Sequence, residues 1–91
     1  MDDLTVGDFA AGDQFEVEAG GALHVLTVER VEELPRAARE AGAFRLIFTG
    51  APQLILPQAI YSFKGARRSD EIFIVPVAAD AGSVRYEAIF N

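Results

Sequence analysis

The chain has 91 residues, a length that suits one domain around one core. Hydrophobic residues make up 51% and charged residues 24% of it, a composition that excludes an intrinsically disordered chain. A net charge of −6 opposes binding to nucleic acid, and the absence of cysteine excludes disulfides, thiolate metal sites and a cysteine nucleophile. We therefore expect one ordered domain over residues 1–91.

The first predicted element is a short helical turn, which Thr5 or Asp8 starts. Phe9, which follows it, is predicted to plug one end of the core. Apolar residues then alternate with polar and acidic ones over residues 14–19, and this pattern predicts a first strand with one buried face.

Gly20-Gly21 predicts a tight hairpin turn into a long second strand over residues 22–34, which Pro35 ends. The apolar positions of this strand change phase along its length, which indicates a bulge or a bend. The two sets are Leu23 and Val25 before the change, and Leu26, Val28 and Val31 after it.

Residues 36–42 contain good helix formers but too little apolar periodicity for a core helix, so we predict an exposed loop with at most one helical turn. Residues 44–49 alternate and predict a third strand with an aromatic face. Residues 53–58 are apolar but contain proline, which favours a loop that covers the barrel mouth over a central strand.

Residues 59–64 predict a fourth strand. Residues 71–77 predict a fifth strand that is apolar on both faces, in which Pro76 marks an edge or a bulge because it cannot donate a hydrogen bond. Residues 84–90 alternate again and predict a sixth strand that is tied into the sheet.

Six short strands without a long helix predict an all-β fold, an antiparallel meander that is either closed into a small barrel or folded into a sandwich. The alternation sends one set of large side chains inward. These are Phe15, Phe44, Phe48, Phe63, Ile74 and Phe90.

The sequence contains no recognisable catalytic, metal or cofactor site. His24 is the only imidazole, and it lies in a predicted strand without a Gly-x-Ser-x-Gly elbow elsewhere, so we predict that the domain is not an enzyme. The densest carboxylates do not have the spacing of a calcium loop, so we predict no metal and no cofactor. They are Asp2, Asp3, Asp8 and Asp13.

One short turn is basic, with Lys64, Arg67 and Arg68, and we interpret it as a solvated loop and not as a nucleic-acid site. No apolar stretch approaches the roughly 20 residues that span a bilayer. The acidic start, Met1-Asp2-Asp3, does not resemble a signal peptide, so a cytoplasmic location without membrane contact is the default expectation.

Two surfaces are candidates for binding. Phe73, Val75 and Val77 cannot point inward together with Ile72 and Ile74, so either the loop at residues 54–56 covers them or another subunit does. They form a candidate interaction surface. A candidate barrel mouth is bordered by Leu54, Leu56, Gln58 and Tyr61.

Several segments resemble an uncharacterised family of short bacterial all-β domains. The resemblance is carried by Asp8-Phe9, residues 12–15, Phe44-Arg45-Leu46-Ile47-Phe48, Leu56-Pro57-Gln58 with Tyr61, Phe73-Ile74-Val75-Pro76-Val77 and Tyr86-Glu87-Ala88-Ile89-Phe90-Asn91. It implies a domain of unknown function, some of whose relatives are associated with phage-tail-like or tail-collar-type proteins, and it implies no active-site residue. Ala59-Ile60 and the basic turn at residues 64–68 depart from the family pattern.

The leading functional hypothesis is a non-enzymatic structural or protein-interaction module that binds a protein partner or itself. The family resemblance adds the hypothesis that the domain is part of a phage-tail-like particle. The alternative is a small-ligand-binding β-barrel entered at the candidate mouth. An enzyme is the weakest hypothesis, because it rests only on His24 and scattered carboxylates.

Overall fold

The computed structural model describes residues 4–35, 42–66 and 68–90 of the chain. A 3-10 turn at Val6–Asp8 comes first, as predicted, and is followed by six strands. The strands are β1 (Gln14–Ala19), β2 (Ala22–Glu33), β3 (Phe44–Gly50), β4 (Ala59–Lys64), β5 (Ser69–Ala79) and β6 (Val84–Phe90). The predicted loop at residues 36–42 lies outside the described residues, except for Gly42.

The six strands are antiparallel and close into a barrel in the order β1-β2-β3-β6-β5-β4. Of the two predicted architectures, the structure has the barrel and not the sandwich. The predicted order of the strands, a simple meander, is wrong. β1 to β3 form one meander and β4 to β6 form another, and they join where β3 pairs with β6 and β4 pairs with β1. The order differs because the connection after β3 crosses one end of the barrel, with Leu56 buried there, before β4 begins.

The hairpin between β1 and β2 has the predicted two-glycine turn. Gly20 and Gly21 have φ angles of 61° and 80°, in the left-handed region that glycine adopts at low cost. A primed turn of this kind matches the twist of the flanking strands.

The apolar positions of β2 change phase at two places, and only one of the two is a bulge. Glu29 is an extra residue, because Val28 pairs with Phe48 and Arg30 pairs with Ile47, and this bulge keeps Val28 and Val31 on the inner side. The earlier change, from Val25 to Leu26, involves no bulge, because the pairing of β2 with β1 is continuous there. There the prediction is wrong, since Leu23 and Val25 simply lie on the outer face.

A second bulge lies in β5 beside the proline, as the sequence predicted. Pro76 pairs with Tyr86, and the register then shifts so that Ala78 pairs with Arg85. The bulge at Val77 lets the strand accommodate a residue that has no N–H to donate.

Aromatic side chains fill the barrel. Phe15, Phe48 and Phe63 form one group with ring centroids 5.0 to 6.2 Å apart. Phe90 is only partly buried but stacks on Phe44 at 4.5 Å. Phe9 closes the end of the barrel where Phe44 and Phe90 lie, as predicted. Its ring lies 6.0 to 6.3 Å from those of Phe15, Phe44 and Phe90.

Ion pairs cover the outer face of β2, β3 and β6. Arg45 on β3 binds Glu32 and lies 3.3 Å from Glu87. Arg85 on β6 makes two hydrogen bonds to Glu29 at the β2 bulge, of 3.0 and 3.2 Å. This side of the barrel is therefore charged on the outside. Because the charged side chains are partly exposed to solvent, each ion pair adds little to the free energy of unfolding.

Candidate functional site

An apolar surface lies beside this charged face, on β4, β5 and β6. Ile60 on β4 is the direct cross-strand partner of Phe73 on β5, and both side chains point outward. Val75 and Val77 continue along β5, and Ile89 lies on the outer face of β6. We call these five residues the outer apolar face.

The side chains of this face are accessible to solvent. The exposed fraction is 64% for Ile60 and 50% for both Phe73 and Val77, while Val75 is half-buried. Ile72 and Ile74, between them in the sequence, are buried. The period-two alternation of the strand therefore divides β5 into a core side and a free side.

The loop at residues 54–56 does not bury Phe73 and Val77. Leu56 is 3% exposed and belongs to the core, whereas Leu54 and Ile55 remain about half exposed. Of the two predicted explanations for the apolar strand, coverage by this loop is therefore wrong for Phe73 and Val77.

Sequence reasoning missed Ile60 and Ile89 as parts of this surface. The signal for Ile60 was available, because the short connection from Lys64 to Ser69 fixes the register that puts it opposite Phe73. The signal for Ile89 was not, because its neighbour across the sheet depends on β6 lying between β3 and β5.

The predicted barrel-mouth residues differ in their burial. Leu56 is buried, and its backbone N–H donates a 2.9 Å hydrogen bond to the Tyr86 hydroxyl inside the barrel. Tyr61 is half-buried and its hydroxyl donates to the Pro57 carbonyl at 2.6 Å. Leu54 and Gln58 are exposed. The connection thus fills this end of the barrel with its own side chain.

A polar depression of about 330 Å³ lies beside the barrel near the β4–β5 turn. Asp8, Asp13, Phe15 and Gly65 line it together with Arg68. Arg68 lies 3.1 Å from Asp8 and 2.6 Å from Asp70, while the Asp13 carboxylate accepts a 3.0 Å hydrogen bond from the Ala10 N–H.

The Asp8 carboxylate is held in its charged form. It accepts a 2.8 Å hydrogen bond from the Thr5 backbone N–H, which is the main reason that its pKa lies below the ordinary value. The Arg68 guanidinium lowers the pKa further. Such a carboxylate is a cap for the 3-10 turn and a link to the β4–β5 turn.

The other polar candidates do not converge. His24 is half-buried, with Nε2 3.3 Å from the Ala19 carbonyl oxygen. Lys64 is exposed opposite Glu16, while Arg67, Asp2 and Asp3 lie outside the described residues. Over residues 4–35, 42–66 and 68–90, no three His, Asp or Glu side chains are grouped so that they could hold a metal ion.

Comparison with known proteins gives a family. The model of a domain of unknown function, DUF6916, matches residues 4–90. The chain belongs to this family. No curated protein and no solved structure matches the chain. The resemblance to an uncharacterised family is thereby confirmed for this DUF6916 domain, while bacterial origin and phage-tail association stay predictions.

The described part of this DUF6916 domain contains no helix with the length and apolar character that a membrane crossing requires. The exposed apolar side chains of the outer apolar face, by contrast with those of the core, are not explained by packing inside the barrel.

Proposed function

We propose that this DUF6916 domain is a non-enzymatic module that binds another protein through its outer apolar face. The observation that carries the proposal is the direct cross-strand pair of Ile60 and Phe73, exposed by 64% and 50% beside Val77 and Ile89. Apolar patches on monomers that are larger than scattered single residues mark interaction sites.

The composition of the face suits a binding centre. Phe73 is a large, rigid side chain that loses little conformational entropy when a partner covers it, and Ile60 is its direct cross-strand partner. Val77 and Ile89 extend the exposed apolar surface along β5 and onto β6. Covering the exposed part of such side chains contributes about 25 cal/mol for each Å² of apolar area. Charged residues of β3 and β6, Arg45 and Glu87, lie next to it as a polar rim.

The proposal is tested by photo-cross-linking in the native host. A photoreactive phenylalanine analogue at position 73 is expected to give a discrete product with one other protein. The same analogue at Gln53, which is exposed in the connection after β3, is the matched control and should give none.

The product should also depend on the neighbouring side chain. Ile60→Lys places a charge against Phe73 and is expected to abolish the cross-link while the domain stays folded. A product that survives Ile60→Lys, or equal products at positions 53 and 73, would contradict binding through the outer apolar face.

We further propose a phage-tail-like particle as the assembly that contains the partner. Support for this comes from the resemblance of segments such as Phe73-Ile74-Val75-Pro76-Val77 to domains whose relatives are associated with tail proteins. Purified tail-like particles from the host should contain the chain in a fixed ratio to a tail protein. Particles without it would contradict this assignment but leave the binding face untouched.

The alternative, a small-ligand-binding barrel, has less support. Leu56 and Tyr86 occupy the end of the barrel where a ligand would enter, and Phe15, Phe48 and Phe63 occupy the interior. A ligand would have to displace these side chains from a close-packed core.

A further inference from the structure

The carboxylates next to the outer apolar face differ between its two sides. On the side of β6, the Glu87 carboxylate lies 3.3 Å from the Arg45 guanidinium. Towards the β4–β5 turn, Glu71 lies two residues before Phe73 on β5, so its side chain points to the same outer side. The cross-strand partner of Glu71 is Ser62, which carries no charge.

The Glu71 carboxylate forms no ion pair with any residue that the structure describes. Glu71 is exposed, and the described ion pairs all use arginines whose partners are other carboxylates. Lys64, the only lysine of the chain, lies on the outer side of β4 opposite Ser69, one pair of residues further towards the turn. It too takes part in none of the described ion pairs. The charge of Glu71 is therefore neutralised on neither strand.

The acidic surface continues from β5 across β4 to β1. Glu16 and Glu18 are exposed on the outer side of β1, and Glu16 is the cross-strand partner of Lys64. Three carboxylates thus stand against one ammonium group on this part of the barrel. The side formed by β2, β3 and β6 differs from it, because its carboxylates are paired with arginines.

A protein that covers Phe73 also covers Glu71. Two residues along a strand are about 7 Å apart. A standard interface of roughly 800 Å² per partner corresponds to a disc with a radius of about 16 Å, so Glu71 lies well inside its edge. A carboxylate that is enclosed without a cation loses its hydration and gains nothing in return, which opposes binding.

We propose that the partner of the outer apolar face is a basic protein segment. Its apolar side chains contact Ile60 and Phe73, and a lysine or arginine contacts Glu71. The inference rests on the proposed function, because it names the chemistry of the partner at the same face. The net charge of −6 favours such a partner from a distance as well, since opposite charges speed the encounter of two proteins.

A second copy of the chain has the wrong charge for this site. Each copy carries a net charge of −6, so two domains repel each other at low salt. Arg30, Arg45 and Arg85 are already paired with carboxylates of their own chain. Any of them would have to exchange an existing partner for Glu71 of another copy.

The test is selection from a random peptide library displayed on phage, with the whole chain immobilised. Peptides that bind the wild-type domain but not Phe73→Ser are retained, because this variant removes the apolar contact without changing the charge. We expect the retained peptides to be enriched in lysine and arginine, relative to the input library, beside apolar residues. Synthetic copies should bind at least about tenfold more weakly in about 500 mM than in about 50 mM NaCl.

Charge reversal at Glu71 locates the basic contact. Glu71→Lys is expected to weaken the binding of these synthetic peptides at least about tenfold, and Glu71→Gln by a smaller factor. Glu33→Lys is the matched control with the same change in net charge. Glu33 is exposed on β2, which lies opposite β5 in the barrel, so this variant should change the affinity less than about twofold.

The outcomes separate the inference from the proposed function. Peptides that need Phe73 but show no enrichment of basic residues, or that tolerate Glu71→Lys as well as Glu33→Lys, would overturn the inference and leave the binding face supported. Self-association of the domain that Phe73→Ser abolishes would overturn it in favour of a second copy. If no peptide distinguishes the wild type from Phe73→Ser, the proposed function fails and the inference fails with it.

Discussion

Tyr86 shows how one side chain fixes the end of the barrel. Its ring is buried and its hydroxyl accepts from the Leu56 N–H at 2.9 Å, and that hydroxyl also lies 3.4 Å from the Leu54 carbonyl oxygen. The connection that crosses the barrel end is tied to β6 by this one polar group. The alternation over residues 84–90 puts Tyr86 on the same side as Phe90, but it does not indicate the partner of the hydroxyl, because that partner lies 30 residues away.

Removal of this hydroxyl should destabilise the fold. Tyr86→Phe leaves the buried Leu56 N–H without an acceptor, which costs about 1–2 kcal/mol of unfolding free energy in urea denaturation. Tyr61→Phe is the control, because its hydroxyl binds the Pro57 carbonyl at an exposed site and its loss should cost less than about 0.5 kcal/mol. Equal losses for the two variants would contradict the role of Tyr86.

Asp8 makes the stability dependent on pH. Its pKa is lower in the folded chain, through the Thr5 backbone N–H first and Arg68 as well, so the folded state favours the ionised carboxylate. That contribution is complete above the unfolded pKa of about 3.9 and is lost as the pH falls through the lower folded pKa.

Asp8→Asn should therefore reduce stability at pH 7, and the difference from the wild type should shrink below about pH 4. Urea denaturation at a series of pH values measures it, with Glu18→Gln as a control for the change in net charge at an exposed position of β1. A difference that stays constant between pH 7 and pH 3 would contradict the role assigned to the Asp8 charge.

At the scale of the element, local sequence signals were sufficient to predict the positions of the strands. All six predicted strands are present, with bounds within two residues of those observed, because period-two alternation and glycine or proline at the ends are local signals. The bulge beside Pro76 was predictable for the same reason. The outward position of Leu23 and Val25 was not, because an apolar residue on the outer face looks the same in the sequence as one in the core.

The β4–β5 turn depends on a residue without a side chain. A Cβ on Gly65 would lie 2.7 Å from Cε1 and 2.9 Å from Cδ1 of Phe15, which is buried in the core. Glycine at position 65 thus lets the turn approach the Phe15 ring more closely than a residue with a Cβ atom would allow.

Gly65→Ala should destabilise the domain by about 1–3 kcal/mol, because the Phe15 ring has to move within a filled core. Gly7→Ala is the matched control: its Cβ would meet only the Thr5 Oγ1, at 3.8 Å, and the change should stay within about 0.5 kcal/mol. Thermal or urea denaturation measures both. A neutral Gly65→Ala variant would show that the turn tolerates a side chain.

At the scale of the whole molecule, the sequence predicted the all-β class but not the order of the strands. β6 lies between β3 and β5 because the connection at residues 51–58 crosses the barrel end, and no local pattern encodes that crossing. The order in turn assembles the outer apolar face, by bringing Ile89 to the side of Phe73. The part of the candidate site on β5 was therefore predictable, and the part on β6 was not.

The barrel assigns its apolar residues to two different tasks. Phe63, Ile72 and Ile74 hold the strands together from the inside, whereas Ile60 and Phe73 lie on the outside of the same two strands. If the outer apolar face serves contact with another protein, its side chains should contribute little to the free energy of unfolding.

Urea denaturation of Phe73→Lys tests this claim most directly. We predict an unfolding free energy within about 1 kcal/mol of the wild type, because the lysine is solvated on the outer face. A loss of about 3–5 kcal/mol, as for truncation of a buried phenylalanine, would contradict the account by showing that Phe73 belongs to the core.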